Sequence, residues 1–355
     1  MMLHARHRLL ISASLVVATA MHSAIAFAQT NVNKALDDVN ASMRANNVQL
    51  LYKRGDIYFG SGDIEHAIAD YTDIVKAQPD DIKAHYRLAL ADRVKGDFNG
   101  AIAEYTKIIT LQPQEADAYN ERGLAYLATH AEAKALADFA KAIELMPDDA
   151  VAYFNRAEVL RLQNNPDAAQ RDYDKAIAID GKRAVYFVGR GRLFAAGGDN
   201  DKALADFNEA IRLDDKSAAA YEARGKIRLA RGEPAVAIRD LSAAVRLNPA
   251  DIDALFSRAM AYSQKGDNEN ALYDLTASIS NDPLEPRLYV ARAWIKLRMG
   301  WPDSALADAN RAAVLGKGMA AADHVRVAAT QAVERHTVSP AAAAAPAGAG
   351  QLPKK

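Results

Sequence analysis

The sequence predicts an all-α solenoid of tandem 34-residue units, each of them an antiparallel helix pair. One pattern of apolar and small residues occurs eight times at this period without an insertion or deletion. A glycine followed by an acidic residue marks the middle of five units, and a proline closes five. The units, numbered as pairs 1 to 8, span 48–81, 82–115, 116–149, 150–183, 184–217, 218–251, 252–285 and 286–319.

The first 28 residues have the pattern of a secretory signal peptide. Arg6 and Arg8 give a basic start, residues 9–20 form an apolar run, and Ala-Phe-Ala at 26–28 fits a cleavage site. We expect cleavage after Ala28, followed by residence in a bacterial periplasm or secretion. The apolar run is short and interrupted by polar residues, so a retained membrane anchor is the weaker alternative.

Composition narrows the classes of function. The chain has 44 basic and 45 acidic residues; without Arg6 and Arg8, 42 basic residues remain and the formal charge is −3. A chain with this charge lacks the basic excess of a nucleic-acid-binding protein. It contains no cysteine, which excludes disulfides, thiolate metal sites and a lipoprotein signal.

Two flanking segments are expected to cover the ends of the array, because a terminal repeat leaves one apolar face without a neighbour. Residues 29–47 predict an N-terminal capping helix, with apolar residues spaced as on one helix face: Val32, Leu36, Val39 and Met43. Residues 320–338 predict a C-terminal capping helix. Residues 339–355 are rich in alanine, proline and glycine, which predicts a disordered tail.

Small and bulky side chains alternate between the two helices of each unit. Position 8 is always glycine or alanine, and position 20 is alanine in Ala67, Ala101, Ala135, Ala169, Ala203, Ala237, Ala271 and Ala305. Position 24 is aromatic in the first five units: Tyr71, Tyr105, Phe139, Tyr173 and Phe207. We expect the bulk of one helix to fill the space left by the small residue of the other.

The turn between the two helices is predicted from glycine and acidic residues. These stand together at Gly62-Asp63, Gly96-Asp97, Gly198-Asp199, Gly232-Glu233 and Gly266-Asp267. Glycine takes the left-handed conformation that ends the first helix, and the acid can cap the second. Asn164 can replace the glycine in pair 4. Proline is expected to stop the second helix in five pairs, at Pro79, Pro113, Pro147, Pro249 and Pro283.

Pair 3 carries the whole pattern at positions 4, 7, 8, 11, 20, 24, 27 and 32: Tyr119, Arg122, Gly123, Tyr126, Ala135, Phe139, Ala142 and Pro147. This spacing resembles the tetratricopeptide repeat. The resemblance implies a right-handed superhelix in which the first helix of every pair lines the concave side. It also implies binding of other proteins, with partners that differ widely within the family.

An arginine at position 7 and an acid at position 23 recur together. The arginines are Arg54, Arg122, Arg156, Arg190, Arg224, Arg258 and Arg292, and the acids are Asp70, Glu104, Asp138, Asp172, Asp206, Asp240, Asp274 and Asp308. In pair 2 both members change, to Leu88 and Glu104. We predict an ion pair that fixes the helix register. A catalytic function for these charges is the weaker alternative.

Positions 2, 5, 9 and 12 of each first helix are expected to face the concave surface, and we call them the first-helix stripe. Its densest run is the candidate partner-binding site: Tyr52, Phe59, Tyr86, Leu90, Arg93, Leu124 and Phe154. This mixture suits a peptide held by apolar anchors and a few polar groups. The alternative is that these side chains only pack against neighbouring helices. Trp294 is a second candidate contact.

Motifs for catalysis, metal binding or cofactor binding do not emerge from the sequence. The five histidines after residue 28 are scattered and never form H-x-x-x-H. Gly189 and Gly191 resemble the start of a dinucleotide loop, but Phe194 stands where its third glycine is needed. We therefore expect no enzymatic activity, no metal site and no cofactor.

The sequence thus predicts a non-catalytic scaffold that holds a segment of a partner protein in the bacterial periplasm. Neither nucleic acid nor stable membrane insertion after signal cleavage is expected, and the oligomeric state is left open. Tyr52 and Asp56 stand where a chaperone-tail clamp of the family needs lysine and asparagine, so that clamp is not expected. A glycan-binding accessory protein of polysaccharide or envelope-component export is the alternative, and a hydrolase is a weaker one.

Overall fold

The structure is a computed structural model that describes residues 31–40 and 47–338. Every regular element in these two ranges is a helix, so the predicted all-α repeat solenoid is confirmed. The chain divides into two compact units, one ending at Asp172 and the other beginning at Tyr173, and each is described by itself. The predicted signal peptide, the tail and residues 41–46 of the predicted N-terminal cap lie outside the described residues.

Eight helix pairs follow one another between Val48 and Leu315 of the described chain. Their first helices are α2 (Val48–Ser61), α4 (Ile82–Lys95), α6 (Ala116–Ala128), α8 (Ala150–Leu162), α10 (Ala184–Ala196), α12 (Ala218–Ala230), α14 (Ile252–Gln264) and α16 (Pro286–Arg298). Their second helices are α3 (Ile64–Ala77), α5 (Phe98–Leu111), α7 (Glu132–Leu145), α9 (Pro166–Ile179), α11 (Asn200–Leu213), α13 (Pro234–Leu247), α15 (Asn268–Asn281) and α17 (Pro302–Leu315).

Glycine in the left-handed region ends the first helix, as predicted. Gly62 has φ 84°, and the backbone N–H groups of Gly62 and Asp63 donate to the carbonyls of Phe59 and Tyr58. Asn164 takes the same conformation with φ 56°, and His130 does so in pair 3 with φ 57°. A short polar side chain tolerates this region better than a branched one.

The predicted acidic cap of the second helix holds for aspartate and fails for glutamate. Asp63, Asp97, Asp199 and Asp267 each accept a hydrogen bond from a backbone N–H in the first turn of the following helix. Glu233 makes no such bond at the start of α13.

The two helices of a pair approach closely where position 8 faces position 24. A Cβ atom at Gly123 would lie 2.6 Å from Phe139 Cε1, and one at Gly55 would lie 2.7 Å from Tyr71 Cε1. Position 20 is fully buried in all eight pairs. Glycine and alanine are therefore required by the packing of bulky side chains against the neighbouring helix, as the sequence indicates.

Proline proves unnecessary for ending the second helix. This helix ends at position 30 in every described pair, including pairs 4, 5 and 8, which have Gly181, Asp215 and Lys317 at position 32. In pair 5 the amide of Asp214 donates to the carbonyl of Ala210 and closes the last turn, as Gln78 does to Ile74 in pair 1. The packing register therefore fixes where the helix ends, and proline only reinforces it.

Helices also occupy the two flanks of the array. Residues 31–40 form helix α1, and its Val39 is almost completely buried. Helix α18 (Ala320–Val338) packs on α16 and α17 through Ala322, Val325 and Ala329, which are fully buried. None of the described helices has the length and hydrophobicity needed to cross a lipid bilayer.

Candidate functional site

The predicted Arg–Asp pair is present in seven of the eight described helix pairs with one geometry. The arginine Nε donates to Oδ2 of the aspartate and its Nη2 donates to Oδ1, over 16 residues of sequence. The pairs are Arg54–Asp70, Arg122–Asp138, Arg156–Asp172, Arg190–Asp206, Arg224–Asp240, Arg258–Asp274 and Arg292–Asp308. Two parallel charge-assisted bonds lock the two helices in register.

Burial and hydrogen bonding show that these charges are structural. All seven aspartates are buried, and both carboxylate oxygens of each are occupied by the arginine. The hydrogen bonds that Arg156 donates to Asp172 raise the pKa of Arg156 above its usual value, against the opposing effect of burial. Such a satisfied pair leaves neither a free base nor a free acid for chemistry.

Pair 2 has a histidine–glutamate contact in place of the arginine–aspartate pair. His85 Nδ1 lies 2.5 Å from Oε2 of Glu104, and His85 Nε2 lies 2.9 Å from the carbonyl oxygen of Pro79. Nearby on α4, Asp92 is buried, and burial together with Asp97 and Glu104 raises its pKa to about 6, while Lys95 opposes the shift. Pair 2 therefore carries three buried or half-buried titratable groups between its helices.

The first helix of pair 2 also forms the wall of a cavity of about 780 Å³ in the first compact unit. We call this the α4–α6 cavity; its lining residues are Ile82, Lys83, Tyr86, Arg87, Leu90, Arg93, Tyr105, Gln112 and Glu121. They come from α4, from α5 and its C-cap, and from α6. A volume in this range is typical of ligand sites in proteins.

Two tyrosines and one ion pair shape the interior of the α4–α6 cavity. The rings of Tyr86 and Tyr105 meet edge to face, with centroids 6.1 Å apart. Arg93 Nη1 donates to Oε2 of Glu121, and the Tyr105 hydroxyl donates to the same oxygen across 3.5 Å. Burial raises the pKa of Tyr105, against the influence of Arg93. Both tyrosines are therefore neutral hydroxyl groups at physiological pH.

A second cavity, of about 490 Å³, lies beside the first and shares Lys83 with it. Its other lining residues are Val48, Gln49, Tyr52, Gln78 and Asp81. The ammonium group of Lys83 lies 4.3 Å from the centre of the Tyr52 ring, within the range of a cation–π contact. The side chain of Lys83 on α4 thus borders both cavities.

The structure places the seven predicted partner-binding residues in three settings. Tyr86, Leu90 and Arg93 line the α4–α6 cavity together, and Tyr52 lines the adjacent one. Phe59 and Leu124 are partly buried against the hydrophobic clusters of pair 1 and pair 3. Phe154 is half-buried on α8 and lines neither cavity.

Sequence reasoning missed Glu121 and Tyr105 as cavity residues. Glu121 occupies position 6, outside the first-helix stripe, and reaches Arg93 on the preceding first helix. Tyr105 occupies position 24, which is a packing position in the other pairs, and in pair 2 it also lines the cavity, where its hydroxyl donates to Glu121. The sequence offered one indication of this contact: Arg93 ends the stripe of pair 2, and the acidic Glu121 lies next to the stripe of pair 3.

In the second compact unit, two cations of the first-helix stripe form ion pairs with neighbouring acids. Lys226 Nζ lies 2.5 Å from Glu222 and 4.0 Å from Asp253, and Arg287 pairs with Asp253 while its guanidinium lies 5.1 Å from the Phe256 ring. The indole of Trp294, also in this unit, is 43% exposed. The α4–α6 cavity is likewise bordered by ion pairs, Arg93 with Glu121 and Arg87 with Asp56.

Comparison with known families decides the classification. The tetratricopeptide repeat model matches residues 52–109, 154–218, 188–252 and 222–286, and a second TPR repeat model matches 91–129. The first model alone covers more than half of the chain. The chain belongs to the tetratricopeptide repeat family. Among curated proteins, none matches the sequence.

Solved tetratricopeptide repeat structures share the fold. The chain is similar to the APC/C hetero-tetramer Cut9–Hcn1 structure with 16% identity and a TM-score of 0.61, over 84% of this chain and 59% of that one. It is also similar to Pseudomonas aeruginosa PilF (21% identity, TM-score 0.55, 60% of this chain and 97% of that one). PilW, a type IV pilus biogenesis factor, matches with 17% identity and a TM-score of 0.55, over 59% and 97%. At these identities the likeness shows the fold alone.

Within residues 31–40 and 47–338 of this tetratricopeptide repeat protein, no three metal-binding side chains come together. The α4–α6 cavity combines an apolar floor, two neutral hydroxyls and several charged groups at the edge. Tetratricopeptide repeats are scaffolds typical of protein–protein interaction.

Proposed function

We propose that this protein is a non-catalytic scaffold that holds a segment of a partner protein against the α4–α6 cavity. The single observation that supports this is the cavity itself, where Tyr86, Leu90 and Arg93 of one helix border about 780 Å³ of open volume. An apolar floor supplies affinity and a few polar groups supply orientation, as in other binding sites. Envelope enzymes or an export apparatus are the partners we envisage.

We further propose that it acts in the periplasm of a bacterium. This proposal depends on the basic start and apolar run within residues 1–28 of the sequence. Expression with its own leader, osmotic-shock release and intact-mass analysis test it. A released chain beginning at Gln29 supports the proposal, and a chain that keeps residue 1 in the membrane fraction contradicts it.

Site-specific photocrosslinking tests the binding function. The photoreactive amino acid p-benzoylphenylalanine replaces Leu90 in the cavity or, as a matched control, Tyr273, which is 73% exposed on α15. We expect a partner that crosslinks from position 90 and not from position 273. A synthetic segment of that partner must then compete with the crosslink; equal labelling from both positions contradicts a site at the cavity.

Glycan binding is the second candidate, and the half-buried ring of Tyr86 in the cavity favours it, since sugars stack on accessible aromatic rings. A glycan array probed with the parent and with the Tyr86→Ala variant separates the two functions. Binding to glycans that the variant loses, together with the absence of a crosslinked protein at position 90, replaces the scaffold by a carbohydrate-binding protein.

A further inference from the structure

We propose that pair 2 is the least stable helix pair of the first compact unit, and that a proton on the buried Asp92 keeps it closed. As the pH rises, α4 and α5 separate more often, and pair 1 opens with them. Three features of pair 2 support this inference: a weaker connection between its two helices, a missing bond to pair 1, and a buried acid beside two other acids.

The connection between the two helices is weaker in pair 2 than in the pairs that have an arginine. In pair 3, Arg122 donates two parallel bonds of 2.8 Å to Asp138. Pair 2 has Leu88 at the position of the arginine, and its acid, Glu104, instead contacts Nδ1 of His85. A two-bond arginine pair fixes the relative orientation of two helices, and a single contact constrains it less.

The arginine at position 7 also connects one helix pair to the pair before it. Its Nη1 donates to a side chain at position 25 of the preceding pair, which is Thr106, Asp174, Asn208, Ser242 or Thr276. Position 25 of pair 1 is Thr72, and the apolar side chain of Leu88 cannot donate a hydrogen bond to it. The junction between pairs 1 and 2 therefore lacks this bond.

Asp92 occupies position 11, where none of the other seven units has an acid. The residues at this position are Tyr58, Tyr126, Leu160, Phe194, Arg228, Tyr262 and Lys296. In pairs 6 and 8 the cation, Arg228 or Lys296, lies 2.7 Å from the acid at position 23. Pair 2 has a carboxyl group at both positions, Asp92 and Glu104, so their ionised forms repel each other where other pairs gain an attraction.

The surroundings of Asp92 favour its uncharged form. Its residue is 8% exposed, and among the described residues none donates a hydrogen bond to its carboxylate. A Cβ atom at Gly100 would lie 2.9 Å from Oδ2 of Asp92 and equally 2.9 Å from Oδ2 of Asp97, so both acids border the same small space. Burial, Asp97 and Glu104 raise the pKa of Asp92 to about 6. The closed pair therefore accepts the carboxyl group better with a proton than without.

The cations nearest to Asp92 have other partners. Lys95, on the same helix, lowers the pKa of Asp92, but its ammonium group lies 3.0 Å from Oε2 of Glu65 on α3. Arg93, the next residue of α4, donates to Glu121 on α6. Proton uptake is then the remaining way to remove the buried charge without opening the pair.

The place of pair 2 in the array determines what opens with it. Each repeat of a solenoid packs only on its neighbours, so a terminal repeat depends on the one beside it. Pair 1 packs on pair 2 through α3 and α4, and on its other side Arg54 donates to Asn40 of helix α1. We therefore expect residues 48–111 to open as one segment, while pair 3 keeps its arginine pair and stays closed.

Amide hydrogen exchange of the full chain, measured by mass spectrometry and corrected for the intrinsic effect of pH, tests this inference. The closed form binds the proton of Asp92 more tightly than the open form, so the contribution of Asp92 is present at about pH 5 and lost through about pH 6. We expect protection factors in α2 to α5 to fall about tenfold between about pH 5 and 7.5, and those in α12 and α13 to change less than about twofold. An equal fall in α12 and α13, or none in α2 to α5, overturns the inference.

Asp92→Asn assigns the effect to one residue, because a carboxamide does not ionise. We expect its protection factors in α2 to α5 at about pH 7.5 to match those at about pH 5. Asp148→Asn, at an exposed position of pair 3, is the matched control and should keep the pH dependence of the parent. A pH dependence that persists in Asp92→Asn overturns the assignment of the proton to Asp92.

A second variant tests the stability of pair 2 without relying on pH. Positions 4, 7 and 23 are tyrosine, arginine and aspartate in pairs 3, 4, 6 and 8. His85→Tyr, Leu88→Arg and Glu104→Asp together give pair 2 the same three residues. We expect protection factors in α2 to α5 to rise about tenfold at about pH 7.5. Unchanged protection in a variant with the helix content of the parent contradicts pair 2 as the least stable pair.

Opening of pair 2 bears on the α4–α6 cavity, because α4 contributes Tyr86, Leu90 and Arg93 to its wall. This consequence rests on the proposed function, whereas the exchange experiment does not. A pH-dependent exchange in α2 to α5 without a crosslink at position 90 supports the inference and contradicts the proposed function. A crosslink at position 90 without pH-dependent exchange supports the proposed function and overturns the inference.

Discussion

His85 Nδ1 lies 2.5 Å from Oε2 of Glu104 in pair 2, where the seven other described pairs hold an arginine against an aspartate. His85 Nε2 also lies 2.9 Å from the Pro79 carbonyl, and a carbonyl oxygen only accepts, so Nε2 donates. Pair 2 thus replaces the two parallel bonds of an arginine to one carboxylate by one contact with a carboxylate and one with a backbone carbonyl.

Removing one member of an arginine pair should destabilise the protein more than removing both. Asp172→Leu leaves the half-buried guanidinium of Arg156 without its two acceptors, and we expect a loss of about 2 kcal/mol in the free energy of unfolding. Adding Arg156→Met should recover at least half of this loss, because no unpaired charge remains. Urea unfolding of both variants and the parent measures it; a double variant less stable than Asp172→Leu contradicts a mainly electrostatic pair.

Asp92 should make the stability of the first compact unit depend on pH. Burial, Asp97 and Glu104 raise its pKa to about 6, above its unfolded value of 3.8. Because the folded state favours the protonated form, the contribution of Asp92 to stability is most favourable below about pH 4 and is lost as pH rises through about 6. A shift of about two pKa values corresponds to about 3 kcal/mol in the free energy of unfolding.

Asp92→Asn is the variant that measures this effect. It should match the parent at pH 4 and exceed its stability by up to about 3 kcal/mol at pH 7.5, because the amide carries no charge to bury. Asp148→Asn, at an exposed position of the same unit, is the control and should show no pH-dependent difference. Urea unfolding curves at the two pH values decide it. A constant difference between Asp92→Asn and the parent at both pH values would falsify the assignment to Asp92.

The features predicted from the sequence are those that recur at the same positions of several repeats. The Arg156–Asp172 pair and the close approach of Gly123 and Phe139 repeat at fixed positions, so the period itself reveals them. Asn164 was predictable in the turn because few residues other than glycine tolerate a left-handed backbone.

Contacts that occur in a single pair, or between successive pairs, could not be predicted. His85 at position 4 contacts Glu104 at position 23, the position that pairs with an arginine at position 7 in the other pairs. Whether a side chain at position 4 reaches position 23 depends on the angle between the two helices. Arg93 and Glu121 meet from positions 12 and 6 of successive pairs, and the rotation from one pair to the next determines which side chains come together. The sequence period contains no measure of that rotation.

Two glycines at the end of α2 should respond in opposite directions to alanine. Gly62 has φ 84°, so Gly62→Ala places a Cβ atom in the left-handed region and should cost about 1 kcal/mol of stability. Gly60 lies inside the helix, and a Cβ atom added there meets no other atom within 4 Å. Gly60→Ala should therefore add up to about 1 kcal/mol to the free energy of unfolding. Thermal or urea unfolding of both variants measures the difference, and two changes of the same sign contradict the conformational explanation.

A charge at the centre of α18 tests whether this helix covers the apolar end of the second compact unit. Val325 is fully buried in one cluster with Ala293, Ala305 and Ala309, so Val325→Asp would bury a carboxylate without a partner. We expect α18 to detach, with a loss of about 3 kcal/mol and faster amide hydrogen exchange in α17 and α18. Val327→Asp, on the exposed side of the same helix, is the control and should exchange as the parent does. If Val325→Asp also retains the protection of the parent, the helix contributes little to the end of the array, and the fully buried alanines of α17 must be shielded mainly by α16.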